Sequence, residues 1–341
     1  MDIAPPTPRA PRRLLADAVD RALEVAIAPS FTRVGCAIRS RLDHWTSIDA
    51  DDLTDRVVVV TGATSGLGHA AARTLSAAGA TLEIIARNPT RAAAICEELR
   101  PTAKAHVDFV VADTGDLDAI RRAADELTRR HGAIHALIHN AGALDRQYAR
   151  SPQGFEQTVA SQVLGPFLLT ELLLPSLRAC SGSRVLWVSS GGMYSQPLSV
   201  ADLELPRERY DGTVAYARAK RAQVTIAQLW ADRLRPDRVA VHSMHPGWAD
   251  TPGVRRSLPT FRALTGPLLR SADEGADTLV WLTAADIPLE QSGSFWLDRR
   301  PRAIHRLSST RRSDTADERR RLWEWCVERT GVSDSRFEPR H

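Results

Sequence analysis

The sequence predicts an α/β protein: a three-layer, doubly wound parallel sheet in a single domain, with helical extensions at both ends. Three observations carry that expectation. Beyond the acidic stretch "SIDADDLTDR", apolar runs of strand length alternate with stretches of helical periodicity, as βαβ units require. The first run, "RVVVVTG", is apolar without alternation, the pattern of a strand buried on both faces. It opens into a glycine-rich turn, "TGATSGLG", that leads into an alanine-rich helical pattern. A 341-residue chain with 43% apolar and 25% charged residues has ample material for one large core.

The elements follow in order. After the first strand come a helix ending at Gly79, the strand "TLEIIAR" and a helix over 89–100. Then come "VDFVVAD", a helix over 116–131, and "IHALIHNAG". A long helix over 153–179 leads to "RVLWVSS", another spans 213–235, and "RVAVHSMHPG" is the sixth strand. A less regular region, 252–283, precedes the short strand "GSFWLD". The domain is expected to run over 51–300, with an N-terminal extension at 1–50 and a tail at 301–341 carrying the helix "ADERRRLWEWCVERTG". Residues 1 to 12 are Pro-rich and predict disorder. In 13–45, Leu14, Leu15, Ala18, Val19, Ala22, Leu23 and Val25 recur at helical spacing, and Pro29 breaks the run. Two alternatives stand for this segment: a helix packed on the domain or on a second subunit, or an amphipathic anchor on a membrane surface.

Charge and composition exclude several function classes. Lys+Arg exceeds Asp+Glu by only 45 − 41 = 4, with no basic tract, which argues against nucleic-acid binding. Four scattered cysteines, Cys36, Cys96, Cys180 and Cys326, form no CxxC pair and predict lone thiols in a reducing cytoplasm. Charged residues interrupt the N-terminal region as a signal peptide would not allow, and no apolar run approaches the roughly 20 residues of a membrane span. His131, His135 and His139 share a spacing of four but lie in a strand pattern, so no metal site is expected.

The glycine turn suits an anion. Gly62, Gly66 and Gly68 let the backbone approach closely. With Thr64, Ser65 and Leu67 they place free N–H groups and a helix dipole before a pyrophosphate. The next strand ends "IIARN", with Ala86 where a ribose-binding acid would sit, followed by Arg87 and Asn88. A guanidinium grips a 2′-phosphate that a carboxylate would repel, which predicts NADP(H) over NAD(H).

Only two lysines occur, Lys104 and Lys220, in a chain that otherwise uses arginine. Lys220 follows Tyr216 by four residues, on one helical face. A phenol titrates near 10 in water, and a nearby ammonium favours its ionised form. A compact ammonium can also reach ribose hydroxyls in a way a guanidinium fork cannot. The pair therefore predicts a tyrosine acid/base with lysine support. Of the four tyrosines, Tyr148, Tyr194, Tyr210 and Tyr216, only the last has this partner.

The phosphate loop, "HNAG" (139–142), "VSS" (188–190), "YARAK" (216–220) and "HPG" (245–247) occur in one order. Together they resemble the short-chain dehydrogenase/reductase superfamily over about residues 53–298, and imply its Rossmann-type fold and carbonyl–alcohol chemistry. The resemblance implies that Ser190 polarises the substrate oxygen, with Ser189 orienting the loop. It implies that Gln162, in "SQVLGPF", stands where many members carry an asparagine of a proton relay. That departure, with the terminal additions, motivates an alternative: a dinucleotide-binding sensor or scaffold with little turnover. By the same resemblance Asp113 and Thr114 edge the adenine, and Asn140 and Gly142 pack beneath the cofactor. Pro246 and Gly247 border the nicotinamide, and Thr251 bonds its carboxamide. The expected partner is a small carbonyl or alcohol, apolar to judge from Trp248, Leu258, Phe261 and Leu264. Met193, Tyr194 and Leu198 are expected to line its pocket. Helical faces at 116–131 and 153–179 are where relatives pair subunits, so a homo-oligomer that the extensions would obstruct is the last expectation.

Overall fold

Strand alternation places the core. A computed structural model describes residues 11–47 and 52–332; most of the Pro-rich start, residues 48–51 of the acidic stretch and the chain end lie outside the described residues. Three helices come first: α1 (Pro11–Ala26), α2 (Ala28–Phe31) and α3 (Arg33–Leu42). The domain then runs β1 (Val57–Thr61), α4 (Gly66–Ala77), β2 (Thr81–Ala86), α5 (Pro89–Leu99), β3 (Val107–Val111) and α6 (Leu117–Arg130). It continues through β4 (Ala136–His139), α7 (Gln157–Arg178), β5 (Arg184–Val188), α8 (Gly212–Leu234) and β6 (Ala240–Met244). Two short helices, α9 (Pro252–Ser257) and α10 (Pro259–Thr265), precede α11 (Ala272–Ala284), β7 (Phe295–Leu297) and β8 (Arg300–Pro301). The tail folds as α12 (Ser308–Ser313) and α13 (Ala316–Thr330).

The sheet order is β3-β2-β1-β4-β5-β6-β7-β8, parallel from β3 to β7, with β8 antiparallel. Side chains alternate between two cores. Val58 and Val60 of β1 join Leu82, Ile84 and Ile138 under α4, α5 and α11. Val59, Ile85 and Leu137 face the opposite layer, with α6, α7 and α8. This is why "VVVV" shows no polar alternation: both faces are covered. The order reverses between β1 and β4, which opens a crevice at the carboxyl ends of the central strands.

Three expectations need correction. The long helix starts at Gln157 rather than 153, and β8 was not anticipated. By composition α7 is long and apolar enough to cross a bilayer, yet 83% of its apolar window is buried, so it is the central core helix. The N-terminal break falls at Ile27, at φ 52°, and Pro29 sits in the first turn of α2, where a missing N–H costs nothing.

The third correction concerns α1, whose apolar stripe faces outward. Leu14, Leu15 and Val25 are 53%, 60% and 84% exposed, while Ala16 and Asp20 are buried. The helix docks through charge. Asp17 pairs with Arg300, Asp20 with Arg39 and Arg302, and Glu24 with Arg39 and Arg306. Arg39 also reaches Asp298 at 2.6 Å, and Asp298 receives Arg270. These pairs pack α1 on the domain and leave its apolar face uncovered. At the other end, Trp323 of α13 stands edge-on to Phe167 of α7 and Trp230 of α8, with centroids 4.9 and 4.8 Å away. The tail helix thereby covers part of the face on which subunit pairing was expected.

Candidate active site

The glycine turn joins β1 to α4. Gly62 and Gly66 hold φ of 71° and 59°, the left-handed region that glycine tolerates. A Cβ on Gly68 would fall 2.4 Å from Gly62 O and 2.3 Å from Asn140 Nδ2. Asn140 explains that closeness, since its Nδ2 donates to Thr61 O and Gly62 O, fixing the turn to the end of β4. Ser65 is the N-cap of α4 in extended conformation, and its side chain makes no capping bond. The first-turn N–H groups of α4 therefore face the crevice uncapped, a cradle that fits a pyrophosphate. Thr64 and Leu67 complete the turn, half-buried. Arg87 and Asn88 follow β2 and are exposed. The Asn88 side chain accepts from Arg91 N and caps α5, so its carbonyl oxygen is already engaged. Asp113 accepts from Gly115 N at the end of β3, and Thr114 follows it against Gly165.

The second group of residues gathers where β5 meets α8. Ser189 is buried and donates to Lys220 O, which locks the strand end to the helix. Ser190 accepts from Gly192 N, and its hydroxyl lies close enough to Tyr216 to favour the phenol's ionised form. Lys220 Nζ stands 5.3 Å from the centre of the Tyr216 ring and donates to Val188 O at 2.8 Å. The i,i+4 pair and Ser190 thus share one place. The other tyrosines point elsewhere: Tyr194 donates to Ala303 O, Tyr210 to Asp145 O, and Tyr148 packs edge-on against Tyr210.

The electrostatics differ from the expectation. Burial raises the Tyr216 phenol above its usual value, and the Ser190 hydroxyl opposes this in part. Burial alone lowers Lys220 to about 7. Desolvation thus outweighs the mutual help expected of the pair, because no carboxylate neutralises the ammonium.

Gln162 lies in a π-turn, Ala160–Leu164, inside α7. Its Nε2 donates to Ala143 O at 2.7 Å, and its Oε1 is buried with no partner. A Cβ on Gly142 would come 3.0 Å from Lys220 Nζ and 3.1 Å from that oxygen, so ammonium and orphan acceptor flank the same glycine. A buried acceptor without a donor marks a place for a further hydroxyl or water. After β6, neutral His245 accepts from Gly247 N, and Gly247 takes φ 73°. Pro246 lies 3.5 Å from where a Gly275 Cβ of α11 would stand, and Thr251 caps α9 while its side chain packs 3.3 Å from where a Gly66 Cβ would stand.

Met193, Tyr194 and Leu198 do not line a pocket. Met193 and Tyr194 are buried with Phe31 and Phe295, and Leu198 belongs to the main core. Aliphatic surface after β6 is instead supplied by Leu264, 80% exposed. Phe31 was missed by sequence reasoning, as nothing in "APSFTR" marks it. Its ring lies 4.5 Å from His245 and 5.9 Å from Trp248, and its carbonyl accepts from Trp248 N. His131, His135 and His139 go to separate partners: Glu83, Thr283 O and Thr170.

One pH dependence follows. Lys220 binds its proton less readily folded, at about 7, than an amine free in water, at 10.5. Between these values the unfolded chain holds more protons, so stability rises with pH through this window. Below pH 7 the fold carries the full cost of the buried charge. Lys220→Met should therefore raise the melting temperature more at pH 6 than at pH 10; a pH-independent difference would contradict this.

The short chain dehydrogenase family model matches residues 56–260. Human dehydrogenase/reductase SDR family member 12 is 38% identical over 267 residues, covering 77% of this chain and 83% of that protein. Human retinol dehydrogenase 12 is 32% identical, covering 82% and 88%. Among solved structures, an uncharacterized protein from Mycobacterium paratuberculosis superposes with a TM-score of 0.68 at 29% identity, over 85% of this chain and 98% of that one. With the nucleotide cradle, the Ser-Tyr-Lys cluster and these likenesses in place, the chain belongs to the short-chain dehydrogenase/reductases, NAD(P)-dependent oxidoreductases acting on CH–OH and C=O groups.

Proposed function

We propose that this enzyme uses NADP(H) to interconvert a carbonyl and an alcohol on an apolar substrate, with Tyr216 as general acid/base. The observation that carries the reading is the convergence of Tyr216, Ser190 and Lys220 at the end of β5. The nicotinamide supplies or accepts the hydride. Tyr216 gives its proton to the carbonyl oxygen in the reducing direction and takes it back in the other. A phenol held above its ordinary value is protonated at neutral pH, the form that donates. Ser190 orders that hydroxyl and shares the substrate oxygen. Lys220 spends one N–H on Val188 O and keeps another toward Gly142, where ribose hydroxyls would lie. Gly62, Thr64, Ser65, Gly66, Leu67 and Gly68 hold the pyrophosphate. Asp113 and Thr114 edge the adenine, Asn140 and Gly142 support the ring, and Pro246, Gly247 and Thr251 close on the nicotinamide.

Arg87 supports NADP(H): it is exposed just beyond the end of β2. The aliphatic and aromatic segment after β6, with Trp248 edge-on to Phe261, supports an apolar substrate, as does the likeness to a retinol dehydrogenase. The uncovered stripe of α1 supports peripheral contact with a membrane. Leu14, Leu15 and Val25 face out, whereas the acids Asp17, Asp20 and Glu24 pair inward with arginines.

Tyr216→Phe should bind NADPH as the parent does while NADPH oxidation with long-chain apolar carbonyls falls by about 100-fold or more; an unchanged rate would refute the mechanism. Arg87→Ala should weaken NADPH by about tenfold and leave NADH affinity unaltered, as expected of a lost charge-assisted contact. Equal losses for both nucleotides would remove the NADP(H) preference. Anionic vesicles should co-sediment the full chain, and Leu15→Glu with Val25→Glu should abolish this without lowering turnover; no sedimentation of the parent would dismiss membrane contact.

A further inference from the structure

One buried side chain connects the two halves of the cluster, and no motif assigns it a role. Gln223 lies on α8, three residues after Lys220, and is fully buried. Its Oε1 accepts from Lys220 Nζ at 3.1 Å, and its Nε2 donates to Gln162 O at 2.7 Å. That carbonyl belongs to the π-turn of α7, where the i,i+4 ladder is interrupted. One amide therefore satisfies both a main-chain acceptor that the turn exposes and an ammonium that has no counter-ion.

The geometry restricts Lys220 strongly. An ammonium has three N–H groups. One goes to Val188 O at the end of β5 and one to Gln223, leaving the third toward Gly142 and the orphan Oε1 of Gln162. Without Gln223 the four-carbon stem would be held by a single bond, and the carbonyl of Gln162 would lose its donor. Tyr216 is the titratable side chain seen against the ammonium, and no charged group contributes to its shift.

We propose that Gln223 is a positioning residue that clamps the Lys220 ammonium to the π-turn of α7, setting both its direction and its proton affinity. The inference rests on the proposed role of Lys220 beneath the ribose. Its reach is wider than one hydrogen bond, because the same amide fixes the backbone of Gln162, whose side-chain oxygen borders Gly142 together with the ammonium.

The test follows NADPH affinity against pH by fluorescence titration, alongside melting temperature and turnover. In the parent, affinity should fall as pH rises through the titration of Lys220. Gln223→Met removes both bonds at similar volume, and NADPH should bind about tenfold more weakly with the midpoint displaced downward by about one pH unit. Gln223→Glu keeps an acceptor and adds a charge, so the midpoint should move upward while turnover still drops, because the donor to Gln162 is gone. A merely structural glutamine would not shift the two midpoints in opposite directions. Should Gln223→Met fail to fold, Gln223→Glu and Gln223→Asn carry the comparison. Midpoints equal to the parent's in folded variants overturn the proposal. A parent that binds no NADPH, or a Tyr216→Phe variant at full rate, would instead overturn the underlying reading of the site.

Discussion

An ammonium buried without a carboxylate is the constraint on which the site depends. Taking Lys220 out of water costs enough to lower it to about 7, and what offsets part of that cost is made of neutral dipoles. The Val188 carbonyl can serve because β5 ends there, and Ser189 ties that end to the carbonyl of Lys220 itself. A carboxylate in the same place would have pinned the ammonium by charge and left it less available to a ligand. Dipoles hold its direction and leave its charge to act outward. The tyrosine above it is raised rather than lowered, so desolvation sets the resting state of the pair.

Charge is managed in the opposite way at the margins. Around Asp298, Arg39 and Arg270 are buried and paired, and this cluster joins α3, the start of α11 and the β7–β8 turn. Breaking one partner of such a cluster leaves an uncompensated charge, which is far costlier than losing an exposed pair. Arg270 also donates to Phe31 O and Ser30 O, so the N-terminal helices reach the turn after β6 through the same arginine. The extension is thus continuous with the wall of the crevice. An arginine-rich chain suits this arrangement: a planar fork can serve a carboxylate and a carbonyl together.

Much of this was legible in the residues. The strand runs, the glycine turn, the order of the motifs and the Tyr216–Lys220 spacing each depend on local periodicity, and the structure bears out the element order. Gln223 was also within reach, since i+3 from Lys220 shares its face, but a glutamine at that spacing is ordinary on any helix. The π-turn had no signal, because nothing in "ASQVL" distinguishes it from α-helix. Met193 and Tyr194 were misplaced because an apolar residue in the loop after β5 can face the cavity or the core, and sequence distance does not say which.

The sequence by itself determined the order of strands and helices, the glycine turn before α4 and the Tyr216–Lys220 spacing, because each is written in residues close together along the chain. Only the tertiary structure decided which way α1 turns, for its apolar stripe lost to a row of acids whose partners Arg300, Arg302 and Arg306 lie some 280 residues away. It alone decided the protonation tendencies of Tyr216 and Lys220 as well. Desolvation depends on everything packed around a group, and no spacing along the chain records that.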